Sequence, residues 1–94
     1  MKTIYKQKLN RSWNKSYSFN ISSINDIKSA INQREEICIY YVNDDKVNKR
    51  NVDIIILGTG HIVEDELFND YKFIDTVSLQ NGALIFHIFA RIEK

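Results

Sequence analysis

The segment YKFIDTVSLQNGALIFHIFAR, residues 71–91, decides the fold class of this chain. Two runs with apolar residues at alternate positions, 71–80 and 83–91, flank Asn81-Gly82. Asn-Gly between alternating runs is a strong signal for a tight type I′ hairpin, because both central residues of that turn need a positive φ. We therefore predict two antiparallel strands joined by a turn at Asn81-Gly82.

Two segments are apolar on both faces of a strand. The segment VDIIIL, residues 52–57, predicts a central strand buried on both sides. In the final strand, Leu84, Phe86 and Ile88 share one face, and Ile85, His87 and Phe89 share the other. We expect that strand to be central or to face a partner, and we predict a two-fold homodimer because a small domain has few other ways to cover it.

The first half of the chain also has strand patterns. Thr3–Leu9 alternates with lysines on one side, which indicates a half-exposed edge strand. Tyr17, Phe19 and Ile21 indicate a second strand, which we expect to form a hairpin with the first. The segment EICIYYVN, residues 36–43, is a further strand. The sequence thus predicts a mainly β fold, a single small antiparallel sheet or sandwich of about six strands built from hairpins.

Residues 23–33 are ambiguous between a short helix and a strand. Ser22 or Ser23 could cap a helix with Asp26 in its first turn, and Ile24, Ile27 and Ile31 would then share one face. Local propensity favours this helix, which would make the fold α+β. The same residues also allow an extended segment.

Length and composition restrict the class of protein. The chain has 94 residues, 44% of them apolar, with a net charge of +1 and one cysteine. We expect one domain over residues 1–94, with no secretory signal, no membrane span and a reducing, cytosolic setting. We interpret Cys38 as a small core residue. Direct nucleic-acid binding is not expected, since no aromatic-plus-basic motif of a known reader is present.

The segment IILGTGHIVEDELFNDYKFIDTVSLQNGALIFHIFARIE resembles the C-terminal half of a small family of phage-encoded proteins of uncharacterised function. Its members read like V-x-G-T-G-H-P, an acidic spacer, Y-I-G-T-V and G-A-L-V-W-H-V-F-E. This chain departs from that pattern at Ile62, Asp75 and Phe86, where the family has proline, glycine and tryptophan. The resemblance implies a viral or prophage origin and a location in the host cytoplasm. It also implies a strand at 26–32 and a turn at 33–36, and on this ground we predict the strand and keep the helix as the alternative.

The Gly58-Thr59-Gly60-His61 segment follows a buried strand, as a phosphate-binding turn does. It lacks the third glycine of a dinucleotide fingerprint and the Gly-Lys-Ser/Thr of a P-loop. Either it is a ligand loop, or its glycines only let the strand leave the sheet. We favour the strand terminator, because the acids that follow at 64–66 would repel a phosphate.

Three functions remain open from the sequence. The first is a non-enzymatic phage accessory protein that binds a host protein, for example an inhibitor of a bacterial defence system such as a CRISPR effector. Its candidate partner-binding residues are Arg11, Trp13, Lys15, Tyr41 and His87. The second is a small-ligand binder that sequesters a nucleotide-type signal through Gly58–His61, and the third is a small hydrolase that uses His61 and His87. We favour the first, and we expect no catalytic group, metal or cofactor.

Overall fold

The computed structural model describes residues 1–11 and 14–93, and within them the chain is mainly β. The strands are β1 (Lys2–Lys8), β2 (Asn14–Phe19), β3 (Ile27–Gln33), β4 (Glu36–Asp44), β5 (Arg50–Gly58), β6 (Lys72–Leu79) and β7 (Leu84–Ile92). One short helix, α1 (Asp65–Asp70), lies between β5 and β6. The predicted mainly β, antiparallel fold is confirmed.

The strands form two antiparallel sheets that pack face to face. The three-stranded sheet has the order β1-β4-β3, and the four-stranded sheet has the order β2-β5-β7-β6. One hydrophobic core lies between them and contains side chains from both sheets. Its most deeply buried side chains are Phe19, Ile21, Ile37, Ile39, Val52, Ile54, Leu79 and Ile88. The Cα atoms span only 17 Å in the thinnest direction, as expected for two stacked sheets.

The two sheets are joined along one side by β3 and β6, which run in the same direction. Side chains supply the hydrogen bonds that a strand ladder would supply elsewhere. We call this line of contacts the seam. It contains Ala30 N donating to Asp75 Oδ2 (3.1 Å), Asn32 Nδ2 donating to the Ser78 carbonyl (3.0 Å) and Gln80 N donating to Glu35 Oε2 (2.8 Å).

The predicted hairpin between the first two strands is wrong. β1 pairs with β4 and β2 pairs with β5, so the two strands belong to different sheets. The chain leaves the first sheet after Leu9, whose side chain is buried and whose amide donates to the Ile37 carbonyl at 2.8 Å. Alternation identified both strands but not their partners, which lie far away in sequence.

The strand predicted at 26–32 from the resemblance is confirmed as β3, and the alternative of a helix over residues 23–33 is wrong. Ser23 does cap a helical turn, because its side chain accepts a hydrogen bond from Asn25 N. Asp26 completes the capping box. The turn ends after three residues, at Asp26, since Ile27 and Ala30 are buried in the core as part of a strand. Tertiary burial therefore overrides the local helix signal.

The Asn81-Gly82 hairpin is present, but its turn is longer than predicted. Leu79 pairs with Leu84, so the loop comprises the four residues 80–83. Gln80, Asn81 and Gly82 all have positive φ values, of 51°, 55° and 91°. The strands pair in the predicted register, but the predicted two-residue type I′ turn is wrong.

The two-residue turn occurs instead between β3 and β4. Gln33 pairs with Glu36, and the intervening Arg34 and Glu35 have φ values of 53° and 67°. Two positive φ values define a type I′ turn, which usually contains Asn or Gly. This is the turn that the resemblance implied at 33–36. Arg34 and Glu35 occupy its two central positions, although neither residue type favours a positive φ.

β5 is central and buried on both faces, as its sequence predicts. Val52, Ile54 and Ile56 face the core between the sheets. Ile55 and Leu57 point outward and form a second cluster with Phe89 of β7, beneath Val63, Leu67 and Tyr71. The 63–71 segment thus covers apolar outer positions of both strands. We expected a homodimer partly because the outer apolar positions needed a cover, and this segment of the same chain covers some of them. The dimer itself stays a prediction.

Candidate functional site

The Gly58–His61 segment forms a turn at the end of β5. His61 N donates to the Gly58 carbonyl at 3.1 Å, and Thr59 N donates to the Ile85 carbonyl at 3.4 Å. Gly60 has a φ of 85°, as the third residue of a type II turn requires. Two of the amides that a phosphate loop would offer are therefore used within the fold. This geometry supports the strand-terminator interpretation.

His87 lies between two threonine hydroxyls on the outer face of the four-stranded sheet. Its Nε2 is 2.9 Å from Thr59 Oγ1, and its Nδ1 is 3.0 Å from Thr76 Oγ1. The register produces this arrangement. Thr76 is directly opposite His87 on β6, and Leu57 is opposite it on β5, two residues before Thr59. A threonine hydroxyl can donate or accept, so either neutral tautomer of His87 is satisfied. We call these three residues the threonine–histidine cluster.

The cluster borders a small depression of about 200 Å³ that contains most of the predicted site. Gly58, Thr59, Gly60, His61 and His87 all line it, over an apolar base that includes Leu57 and Phe89. The lining includes no carboxylate that could orient an imidazole. Across residues 1–11 and 14–93, no group of three or more His, Cys, Asp or Glu residues could hold a metal ion. The depression therefore offers hydroxyl and imidazole hydrogen bonds above an apolar surface.

An aromatic cluster lies beside the depression. Phe68 and Phe73 contact the buried Phe89 edge-to-face, with ring centroids 5.6 and 5.5 Å away. Phe68 is 56% exposed and Phe73 is 50% exposed. We call Phe68, Phe73 and Phe89 the aromatic face. The exposed acids at 64–66 come just before Phe68 in the chain.

The structure does not bring Arg11 or Lys15 to this face. Arg11 donates to the Glu35 carbonyl at 3.0 Å, and the Lys15 ammonium lies 5.8 Å from the ring of the neighbouring Tyr17. Trp13 lies outside the described residues.

Tyr41 does not fit the partner-binding role that we predicted for it. It is only 8% exposed, and its ring packs against Phe19 with centroids 4.4 Å apart. Burial raises the pKa of the Tyr41 hydroxyl, and the nearby Tyr5 adds to the effect. The alternation of residues 36–43 placed Tyr41 on a strand but did not show which face is the inner one.

Sequence reasoning missed the exposed part of the aromatic face and one member of the threonine–histidine cluster. The predicted hairpin register already places Thr76 opposite His87, so that residue could have been found. Phe68 gave a weaker signal, a lone aromatic in an acidic segment. Phe73 lies on a strand whose bulge between Phe73 and Asp75 alters the alternation of faces.

A larger groove, of about 780 Å³, lies at the opposite end of the four-stranded sheet. Its charged lining residues are Arg50, Asp53, Asp70, Lys72, Arg91 and Glu93. Arg91 is held by Asp53 at 3.3 Å and Asp70 at 3.7 Å, and the hydrogen bond to Asp53 raises the pKa of its guanidinium. Acids and bases balance in number, so this groove has no clear preference for an anion or a cation.

Fold and site together define a small two-sheet β protein with an aromatic surface beside a histidine-lined depression. The chain belongs to the family described as a domain of unknown function, DUF7352, whose model matches residues 1–94. No curated protein and no solved structure shows significant similarity to the chain. No helix in the described part of the chain is long and apolar enough to cross a membrane.

Proposed function

We propose that this protein is a non-enzymatic phage accessory protein that binds a host protein in the cytoplasm of the infected cell. The observation that supports binding is the aromatic face, where two half-exposed phenylalanines flank a buried one. The phage origin and the host cytoplasm rest on the sequence resemblance to phage-encoded proteins. A bacterial defence system, such as a CRISPR effector, is the specific target that we propose for such a protein.

The aromatic face has the chemistry of a protein-binding surface. Aromatic residues dominate the binding energy at interfaces, and they act best when a partner excludes water around them. Phe68 and Phe73 already have their positions set by Phe89, so binding would cost little side-chain entropy. The exposed acids at 64–66 favour a partner with basic residues around an apolar centre.

The two other functions have less support. A phosphate-bearing ligand would find the amides of Thr59 and His61 already bonded and three acids close by in the sequence. A hydrolase that uses His61 and His87 would need a group to orient the base, and the lining of the depression supplies no carboxylate. Neither function has an observation of its own that favours it.

Affinity purification from phage-infected cells tests the proposal. The tagged wild type is compared with Phe68→Ser/Phe73→Ser and with the matched control Ile31→Ser, which removes an exposed apolar side chain from the other sheet. We expect the wild type and the control to retain the same host protein and the double variant to lose it. Thermal melting checks that the double variant is folded, since each lost aromatic pair costs about 0.5–1.5 kcal/mol.

Equal recovery by all three proteins would show that the aromatic face is not the interface. Recovery of no host protein by the wild type would contradict binding itself. Recovery of a nucleotide with the wild type would favour the small-ligand function instead.

A further inference from the structure

We propose a second interaction surface, on the other sheet: β1 is an open edge that accepts an extended acidic segment of a partner protein. The segment would pair with the backbone of β1 and add a fourth strand to the three-stranded sheet. This surface is separate from the aromatic face, and the proposal does not depend on the proposed function.

The edge itself is the first observation. β1 pairs with β4 along its whole length, from Lys2 opposite Asp44 to Lys8 opposite Cys38. Its other side pairs with no strand in the described part of the chain, and every residue of β1 except Gln7 is exposed. The opposite edge of the same sheet, β3, is covered by the seam. β1 therefore presents unpaired backbone donors and acceptors that another strand can use.

Two exposed apolar side chains on β1 lie on opposite faces of the sheet. Tyr5 is opposite Tyr41 and contacts its ring on the core side, with centroids 6.1 Å apart. Ile4 is opposite Val42 and points outward. They are 47% and 69% exposed, respectively. An added strand would contact both, because cross-strand neighbours are the unit of sheet stabilisation.

Charge decides which occupant fits. Lys2, Lys6 and Lys8 alternate with the strand period and share the outward face with Ile4. Lys8 pairs with Glu36 at 2.9 Å, whereas Lys6 donates to the neutral side chain of Gln33. Lys2 and Lys6 form no ion pair with the described residues. An approaching strand therefore meets two lysines that form no ion pair; Lys2 has a carboxylate opposite it, at Asp44, whereas Lys6 is opposite Tyr40.

These lysines argue against a second copy of β1 as the occupant. An antiparallel pair of β1 strands centred on Tyr5 would place Lys2 opposite Lys8, and like charges directly opposite each other are destabilising. A segment with Asp or Glu at alternate positions would instead form cross-strand ion pairs. The same lysines thus disfavour self-association through this edge and favour an acidic strand.

Two synthetic eight-residue peptides test the proposal. Both alternate Val or Thr with a charged residue, which is Glu in one peptide and Lys in the other. We expect the wild type to bind the Glu peptide roughly tenfold more tightly, from the ion pairs gained and the repulsion avoided. Amide hydrogen exchange along β1 should slow when the Glu peptide binds, because the added strand takes up the outward N–H groups.

Charge-reversal variants provide the control. Lys2→Glu/Lys6→Glu should reverse the preference toward the Lys peptide, while Lys28→Glu/Lys49→Glu, at exposed positions outside β1, should leave it unchanged. Equal binding of both peptides, or binding of neither, would overturn the proposal. So would binding of the Glu peptide without slower exchange in β1, since that result indicates charge attraction without strand pairing.

Discussion

Replacing Asp75 with alanine tests whether the seam holds the two sheets together. Asp75 accepts from Ala30 N at 3.1 Å through one carboxylate oxygen and from Thr76 N at 2.9 Å through the other. Ala30 lies in the core, only 4% exposed, so its amide has little access to water once the carboxylate is removed. Asp75→Ala should therefore open the seam locally.

The expected cost is the cost of a buried donor left without an acceptor. That penalty is about 1–3 kcal/mol, and the charged acceptor places it toward the upper part of the range. We expect Asp75→Ala to lower the free energy of unfolding by about 2 kcal/mol. For a domain of this size the melting temperature should then fall by about 8–16 °C.

Urea denaturation and amide hydrogen exchange measure this effect. Asp70→Ala is the matched control, because Asp70 is exposed and its 3.7 Å pair with Arg91 should contribute less than about 1 kcal/mol. Asp75→Asn keeps an oxygen acceptor, so its free energy of unfolding should lie between those of Asp70→Ala and Asp75→Ala. If Asp75→Ala is as stable as Asp70→Ala and Ala30 N exchanges as slowly as in the wild type, the seam does not stabilise the fold.

Three further variants test the turns. Gly82→Val should destabilise by more than about 1 kcal/mol in thermal melting, because a β-branched residue is strained at the φ of 91° found there. Arg34→Gly should instead stabilise by roughly 0.5–1 kcal/mol in urea denaturation, since it removes strain at a φ of 53°; a less stable variant would contradict this account of the turn. Thr59→Ala combined with His61→Ala should lower the melting temperature measurably, through loss of the Thr59–His87 hydrogen bond; an unchanged melting temperature together with lost partner binding would favour a ligand loop.

The sequence identified strands more reliably than it identified their partners. Alternation and Asn81-Gly82 depend on neighbouring residues, so the β6–β7 hairpin and its register could be predicted. The pairings of β1 with β4 and β2 with β5 join residues far apart in the chain. Nothing in the local pattern at Leu9 shows that the chain leaves one sheet for the other there.

The candidate site was predictable where it depends on register, and unpredictable where a loop passes over the sheet. The turn at Gly58–His61 and the half-buried His87 followed from the strands that carry them. The position of Phe68 depends on how α1 lies across Phe89, which no repeat in the sequence encodes. The seam contact of Asp75 could not be predicted either, because its partner Ala30 lies far away in the chain.

The strand order also sets the sequence of events during synthesis. β1, β3 and β4 all lie within residues 2–44, so the three-stranded sheet can form while the rest of the chain is still being made. β2 leaves the ribosome early but must wait for β5, the strand that it pairs with. The four-stranded sheet closes only when β7 emerges, because β7 joins β5 to β6. At about 5–20 residues per second, the early sheet has its apolar inner face uncovered for about 2–10 s, and in that interval a chaperone or a neighbouring nascent chain can bind it.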